Sequence, residues 1–139
     1  MRSPLVTRLS PSVRDRLPAA LAAVVTVAAG LTVRAVTDGW FGKYAGDALY
    51  TVLIHTLVLF VAPRLSPVRA ALWALAVSWA VEFAQLTLVP AALSEASVLA
   101  RLVFGSTFGV ADLVAYAVGA VLAAAGHAAL QAISWADHA

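Results

Sequence analysis

Four long apolar runs, separated by three short connectors, constrain this chain more than any motif in it. They cover about Leu17–Val33, Ala48–Ala62, Val68–Leu88 and Ala111–Ile133. A helix needs about 20 predominantly apolar residues to cross the ~30 Å hydrocarbon core of a bilayer, and fewer where its flanks snorkel or the bilayer thins. With 63% hydrophobic and 12% charged residues among 139, a water-soluble fold could not hide the apolar surface of these runs. The sequence therefore predicts an all-α integral membrane bundle of four transmembrane helices. It forms one domain over 17–135, with a basic tail over 1–16 and a short tail over 136–139.

The punctuation agrees with this division. Pro18 is acceptable in a first helical turn, Pro63 stops the second run, and Pro90 stops the third. Between the second and third runs, PRLSPVR reads as a tight helical hairpin turn. The other two connectors, RAVTDGWFGKYAGD and PAALSEASVLARLVFGSTFGV, are longer. A cleaved leader over Arg2–Val33 is the competing reading of the first run, and the continuity of the pattern beyond it argues the other way.

Lysine and arginine give the orientation. Arg2, Arg8, Arg14, Arg16, Arg64 and Arg69 fall on one side of a four-span layout, whereas the other side carries Arg34, Lys43 and Arg101 together with Asp38, Asp47 and Glu95. The positive-inside rule then places both termini in the cytoplasm, the two longer connectors outside, and the chain in the plasma membrane as a multi-pass protein.

Several function classes have no foothold. Dinucleotide, P-loop, zinc-protease and hydrolase signatures do not occur in the sequence, and neither does cysteine. The net charge of +2 is not gathered into a basic stripe interleaved with aromatics, so nucleic acid is not an expected partner. No cofactor is expected, and no metal, because His55, His127 and His138 form no suitably spaced ligand pair in the sequence. The partner that the sequence specifies is the lipid bilayer.

What remains is a set of polar residues inside or beside the spans. An unpaired charge at the centre of a membrane helix costs at least about 2.5 kcal/mol on insertion scales, so each such residue must face something polar. In ALAVSWAVEFAQLTLVP, Ser78, Glu82 and Gln85 share one helical face. Asp112 and Tyr116 open the fourth span, Asp47 and Tyr50 open the second, and Arg34 and Arg101 lie in the outer connectors. These residues predict an outward-facing polar pocket built from Glu82, Gln85, Arg101, Asp112, Tyr116, Asp47 and Arg34. Its ligand would be an envelope lipid headgroup, saccharide or amphiphile.

Alternatives stand beside this expectation. In an acid/base enzyme, Glu82 and Asp112 would be the catalytic candidates, although no nucleophile motif specifies a reaction. In a structural accessory subunit, the same groups would only hold the bundle together. Asp112 and Asp47 also suit the first turn of a helix by themselves. Asp38 and Lys43 read as solvated loop charges and His55 as a packing group. Gly119, Ala123 and Gly126 read as a surface for close helix approach within the monomer.

The runs TVRAVTDGWFGKYAGDALYTVLIH, SWAVEFAQL and RLVFGSTFGVADLVAYAVGA resemble a small bacterial membrane family, domain of unknown function 2809, over nearly the whole chain after the basic tail. More distantly, Glu82-x-x-Gln85, then Arg101, then Asp112 and Gly119 resemble the E-x-x-Q and D-x-x-x-N-x-x-G pattern of VanZ-like membrane proteins. Tyr116 stands where that pattern has asparagine. The resemblance implies an envelope setting and joint action of Glu82, Gln85, Arg101 and Asp112, without implying a reaction.

Overall fold

The computed structural model describes residues 11–87, 92, 95–99 and 109–138. Among these residues are four helices long and apolar enough to cross a membrane, and no strand. They are α1 (Pro11–Val36), α2 (Gly39–Val61), α3 (Pro67–Ala84) and α4 (Val110–His138).

Two boundaries differ from the apolar runs for physical reasons. α2 begins at Gly39 rather than Ala48, so most of the segment expected as an outer loop is helix. Gly39, Gly42, Gly46, Lys43 and Asp47 dilute the hydropathy there, but Lys43 and Asp47 pair at i,i+4, 3.4 Å apart, which favours a helix. Only Thr37 and Asp38 separate α1 from α2. The reversal uses Gly39 at φ 77°, a conformation natural to glycine. It also uses Gly42, where a Cβ would come within 2.6 Å of Thr37 Oγ1 and 2.9 Å of its carbonyl oxygen. At the other difference, α3 ends at Ala84 with Gln85 as its C-cap, ahead of the apolar limit at Leu88.

The basic connector is the tight turn expected of it. Ser66 caps α3 by accepting a hydrogen bond from the Arg69 N–H at 3.3 Å, and Pro67 occupies the first turn, where its missing N–H costs nothing. Pro18 lies further inside a helix than the apolar run suggested, because α1 starts at Pro11.

α2, α3 and α4 pack against one another, and α1 lies along α2. Contacts between Lys43 and Asp112 and between His55 and His127 run α2 and α4 in the same direction. Contacts from Glu82 to Gly109 and from Trp79 to Leu113 run α3 the opposite way. α2 and α4 meet most closely at Gly119, where an added methyl would overlap the backbone of Ala48. Gly126 meets nothing within 4 Å, so the close approach inside the monomer is made at Gly119 alone of the two.

The distribution of side chains is the inverse of a soluble protein. Large apolar residues such as Leu21, Val24, Leu72, Trp73, Val121, Leu122 and Leu130 are exposed on the outside of the bundle. The buried set is small or polar: Ala70, Ala71, Ala74, Ala115, Ala120 and Ala123 with Thr51, His55, Thr56, Ser78, Glu82 and Asp112. In lipid, apolar side chains gain nothing by leaving the solvent, and helices associate through close packing and hydrogen bonds. Trp40 and Phe41 at the start of α2 and Trp135 near the end of α4 are exposed at opposite ends, as interfacial anchors are.

Gly119→Ala should lower stability by about 1–3 kcal/mol through overpacking against Ala48, whereas Gly126→Ala should be neutral or slightly stabilising. Thermal unfolding of both variants in one detergent, followed by circular dichroism, checks the contrast.

Candidate functional site

At the end of the bundle where α1 stops, α2 starts, α3 stops and α4 starts, polar side chains from three helices converge. Glu82 is supplied by the last turn of α3 and is completely buried. Its Oε1 accepts a hydrogen bond from the backbone N–H of Gly109 at 2.7 Å, and its Oε2 accepts one from the Tyr116 hydroxyl at 2.9 Å. Both donors belong to the start of α4. Glu82 thereby ties one helix end to the next helix beginning, and the N-terminal position of Gly109 puts the carboxylate beside the positive end of the α4 dipole.

Asp112 is the third residue of α4, 6% exposed, and its N–H donates to the Gly109 carbonyl at 3.1 Å. It serves the helix start, as its sequence position allows, and it also reaches across to α2, where it forms an ion pair with Lys43. Lys43 holds Asp47 with the same ammonium group. Asp112 in turn interacts with the carboxyl groups of Asp47 and Glu82. The carboxyl groups of Asp47, Glu82 and Asp112 thus gather near the ammonium group of Lys43. The Tyr50 ring lies 6.0 Å from that of Tyr116, tilted by 51°, and Trp79 Nε1 donates to the Leu113 carbonyl at 3.1 Å.

The expected pocket residues distribute unevenly over this geometry. Glu82, Asp112, Tyr116 and Asp47 are brought together. Gln85 is half-buried at the C-cap of α3, one turn beyond Glu82. Arg34 is exposed in the last turn of α1 and enters no ion pair among the described residues. Arg101 lies outside the described residues. The cation at the described site is neither arginine but Lys43, which the sequence had suggested was a solvated loop charge.

Lys43 was detectable in principle. Lys43, Asp47, Thr51 and His55 follow one another at intervals of four, which places them on one face of a helix once Gly39 is accepted as its start. His55 likewise has a partner that the sequence spacing concealed: its Nε2 lies 3.2 Å from Nδ1 of His127, 72 positions away. No group of three or more His, Asp or Glu placed to hold a metal ion occurs among the described residues.

Residues 36–120 match the family described as Protein of unknown function (DUF2809). The chain belongs to this family. No curated protein and no solved structure matches it. The DUF2809 match begins at the last residue of α1 and ends within α4, so it contains Lys43, Asp47, Glu82, Asp112 and Tyr116 in full. It leaves out nearly all of α1, the helix that lies alongside α2.

Tyr116→Phe removes one of the two hydrogen bonds to Glu82 without changing the packing volume. The expected loss is about 1–3 kcal/mol of stability, read as a lower unfolding temperature in detergent. An unchanged unfolding temperature would mean that Glu82 does not depend on this hydroxyl.

Proposed function

We propose that this multi-pass protein sits in the plasma membrane with both termini cytoplasmic, and that its outward-facing polar site holds the headgroup of an envelope amphiphile. The observation that carries the reading is the exposure gradient along one ion-paired chain. The Asp112 side chain is 9% exposed, that of Asp47 23% and that of Lys43 52%. A buried acidic network therefore reaches the outside through one ammonium group with a carboxylate beside it. Such a pair complements a zwitterionic headgroup, with a phosphate meeting Lys43 and an ammonium meeting Asp47. Exposed Trp40 and Phe41, with ring centroids 6.2 Å apart in an edge-to-face pair, stand on the same first turn of α2, at the depth where headgroups lie.

The orientation rests on the lysine and arginine asymmetry, with Arg14, Arg16, Arg64 and Arg69 grouped at the opposite end of the bundle from the site. Both oxygens of Glu82 are engaged and the residue has no exposed surface, which favours a supporting role beneath the ligand over that of a catalytic acid or base. Asp112 similarly orients Lys43. In this reading Tyr116 and Gln85 line the inner side of the site, and Arg34 belongs to its rim.

The test is ligand-dependent stabilisation in detergent. Short-chain phosphatidylethanolamine should raise the unfolding temperature by several degrees more than phosphatidylglycerol of the same chain length, through preferential binding to the folded state. Lys43→Gln combined with Asp47→Asn should erase the difference. Equal shifts for both lipids, or a preference that survives the double substitution, would overturn the headgroup reading.

A further inference from the structure

We propose that the buried polar line running the length of α2, α3 and α4 conducts protons between the two membrane faces. This goes beyond headgroup binding and does not depend on it. The line starts at two pairs, Lys43 with Asp112 in an ion pair and Tyr116 donating a hydrogen bond to Glu82. One turn deeper, Thr51 of α2 and Ser78 of α3 share a hydrogen bond of 2.9 Å, and neither has any exposed surface. One turn deeper again is His55, 2% exposed. Its Nε2 bonds to Nδ1 of His127, and Nε2 of His127 faces the amide nitrogen of Gln131 at 3.3 Å, on the exposed last turns of α4.

The two imidazoles are wired in series. Nδ1 of His55 is buried and without a hydrogen-bond partner among the described residues. The Gln131 amide donates to Nε2 of His127, so His127 carries its proton on Nδ1, donates it to Nε2 of His55 and leaves the His55 proton on Nδ1. A proton accepted at His127 Nε2 lets that ring release the one on Nδ1 to His55, which releases one in turn at its own Nδ1. Nothing is oxidised or consumed: one proton enters at one face, one leaves at the other, and each ring returns to neutrality by rotating or exchanging tautomers. Imidazole, hydroxyl and carboxyl groups are the side chains able to pass protons in this way, and chains of them within a membrane mark proton paths.

The dimensions fit a crossing. From Asp112 to Gln131 along α4 the helical rise of 1.5 Å per residue gives about 28 Å, close to the ~30 Å hydrocarbon thickness. Two intervals in the line, Glu82 to Ser78 and Thr51 to His55, are single helical turns of about 5.4 Å, a length that one water bridges. The residues around them are small: Ala74 on α3 and Ala120 and Ala123 on α4 are buried there. A purely adhesive polar core has no need of a buried imidazole nitrogen without a partner, since such a group is a standing cost.

The experiment uses the full chain reconstituted into liposomes that contain a pH-sensitive dye, with a valinomycin-clamped potassium gradient driving protons inward. The expected result is internal acidification several-fold faster than in protein-free vesicles. It should fall to the protein-free rate in Thr51→Val/Ser78→Ala, which breaks the middle of the line, and in His127→Gln, which keeps a hydrogen-bonding side chain but cannot relay. A wild-type rate equal to that of protein-free vesicles overturns the proposal, as does an undiminished rate in His127→Gln. Should the double variant fail to fold by circular dichroism, the wild-type and His127→Gln rates decide alone. Lipid preference at Lys43 and Asp47 is read from unfolding temperature and is unaffected by either outcome.

Discussion

The hydrogen bonds that Glu82 accepts from Gly109 and Tyr116 are the constraint around which the rest of this bundle is arranged. Glu82 has no exposed surface, so bulk solvent does not reach the carboxylate and its partners come from the chain itself. They come from the next helix, which fixes how the end of α3 meets the start of α4. The same requirement recruits Asp112 for Lys43 and Ser78 for Thr51, so that polar pairing, and not apolar burial, sets the mutual register of α2, α3 and α4.

This logic accounts for the inverted core. Alanine and glycine let backbones approach until side-chain hydroxyls, carboxylates and imidazoles reach across, and Gly119 against Ala48 is the tightest instance. The bulky aliphatic residues face outward, where lipid receives them at no cost. α1 takes little part in the interior: its buried residues are Ala19 and Thr26, and its packing partner is α2. The DUF2809 match covers the polar end, passes over nearly all of this outer helix and stops before Ala123 and His127.

The two polar zones of the interior have different chemical characters. Near the start of α4 the groups are ionisable and graded in exposure from Asp112 out to Lys43. Towards the far ends of α2 and α4 they are two imidazoles and an amide in sequence. The first zone suits recognition of a polar headgroup, the second suits movement of a proton, and the Thr51–Ser78 pair stands between them.

What the sequence determined by itself is local. Hydropathy over about 20 residues is a property of each segment alone, so the four membrane helices and the all-α class could be read directly, and so could the tight turn at PRLSPVR. The onset of α2 at Gly39 was hidden, because glycine and charge are the ordinary marks of a loop unless the charges have partners inside. Those partners were a matter of tertiary structure. Glu82 meets Tyr116 across 34 positions, Lys43 meets Asp112 across 69 and His55 meets His127 across 72, separations that leave no periodic trace in a sequence. The cost of a charge in lipid told that Glu82 must be satisfied; only the packing of three helices decided that a backbone amide and a tyrosine satisfy it, and that the cation nearby is Lys43.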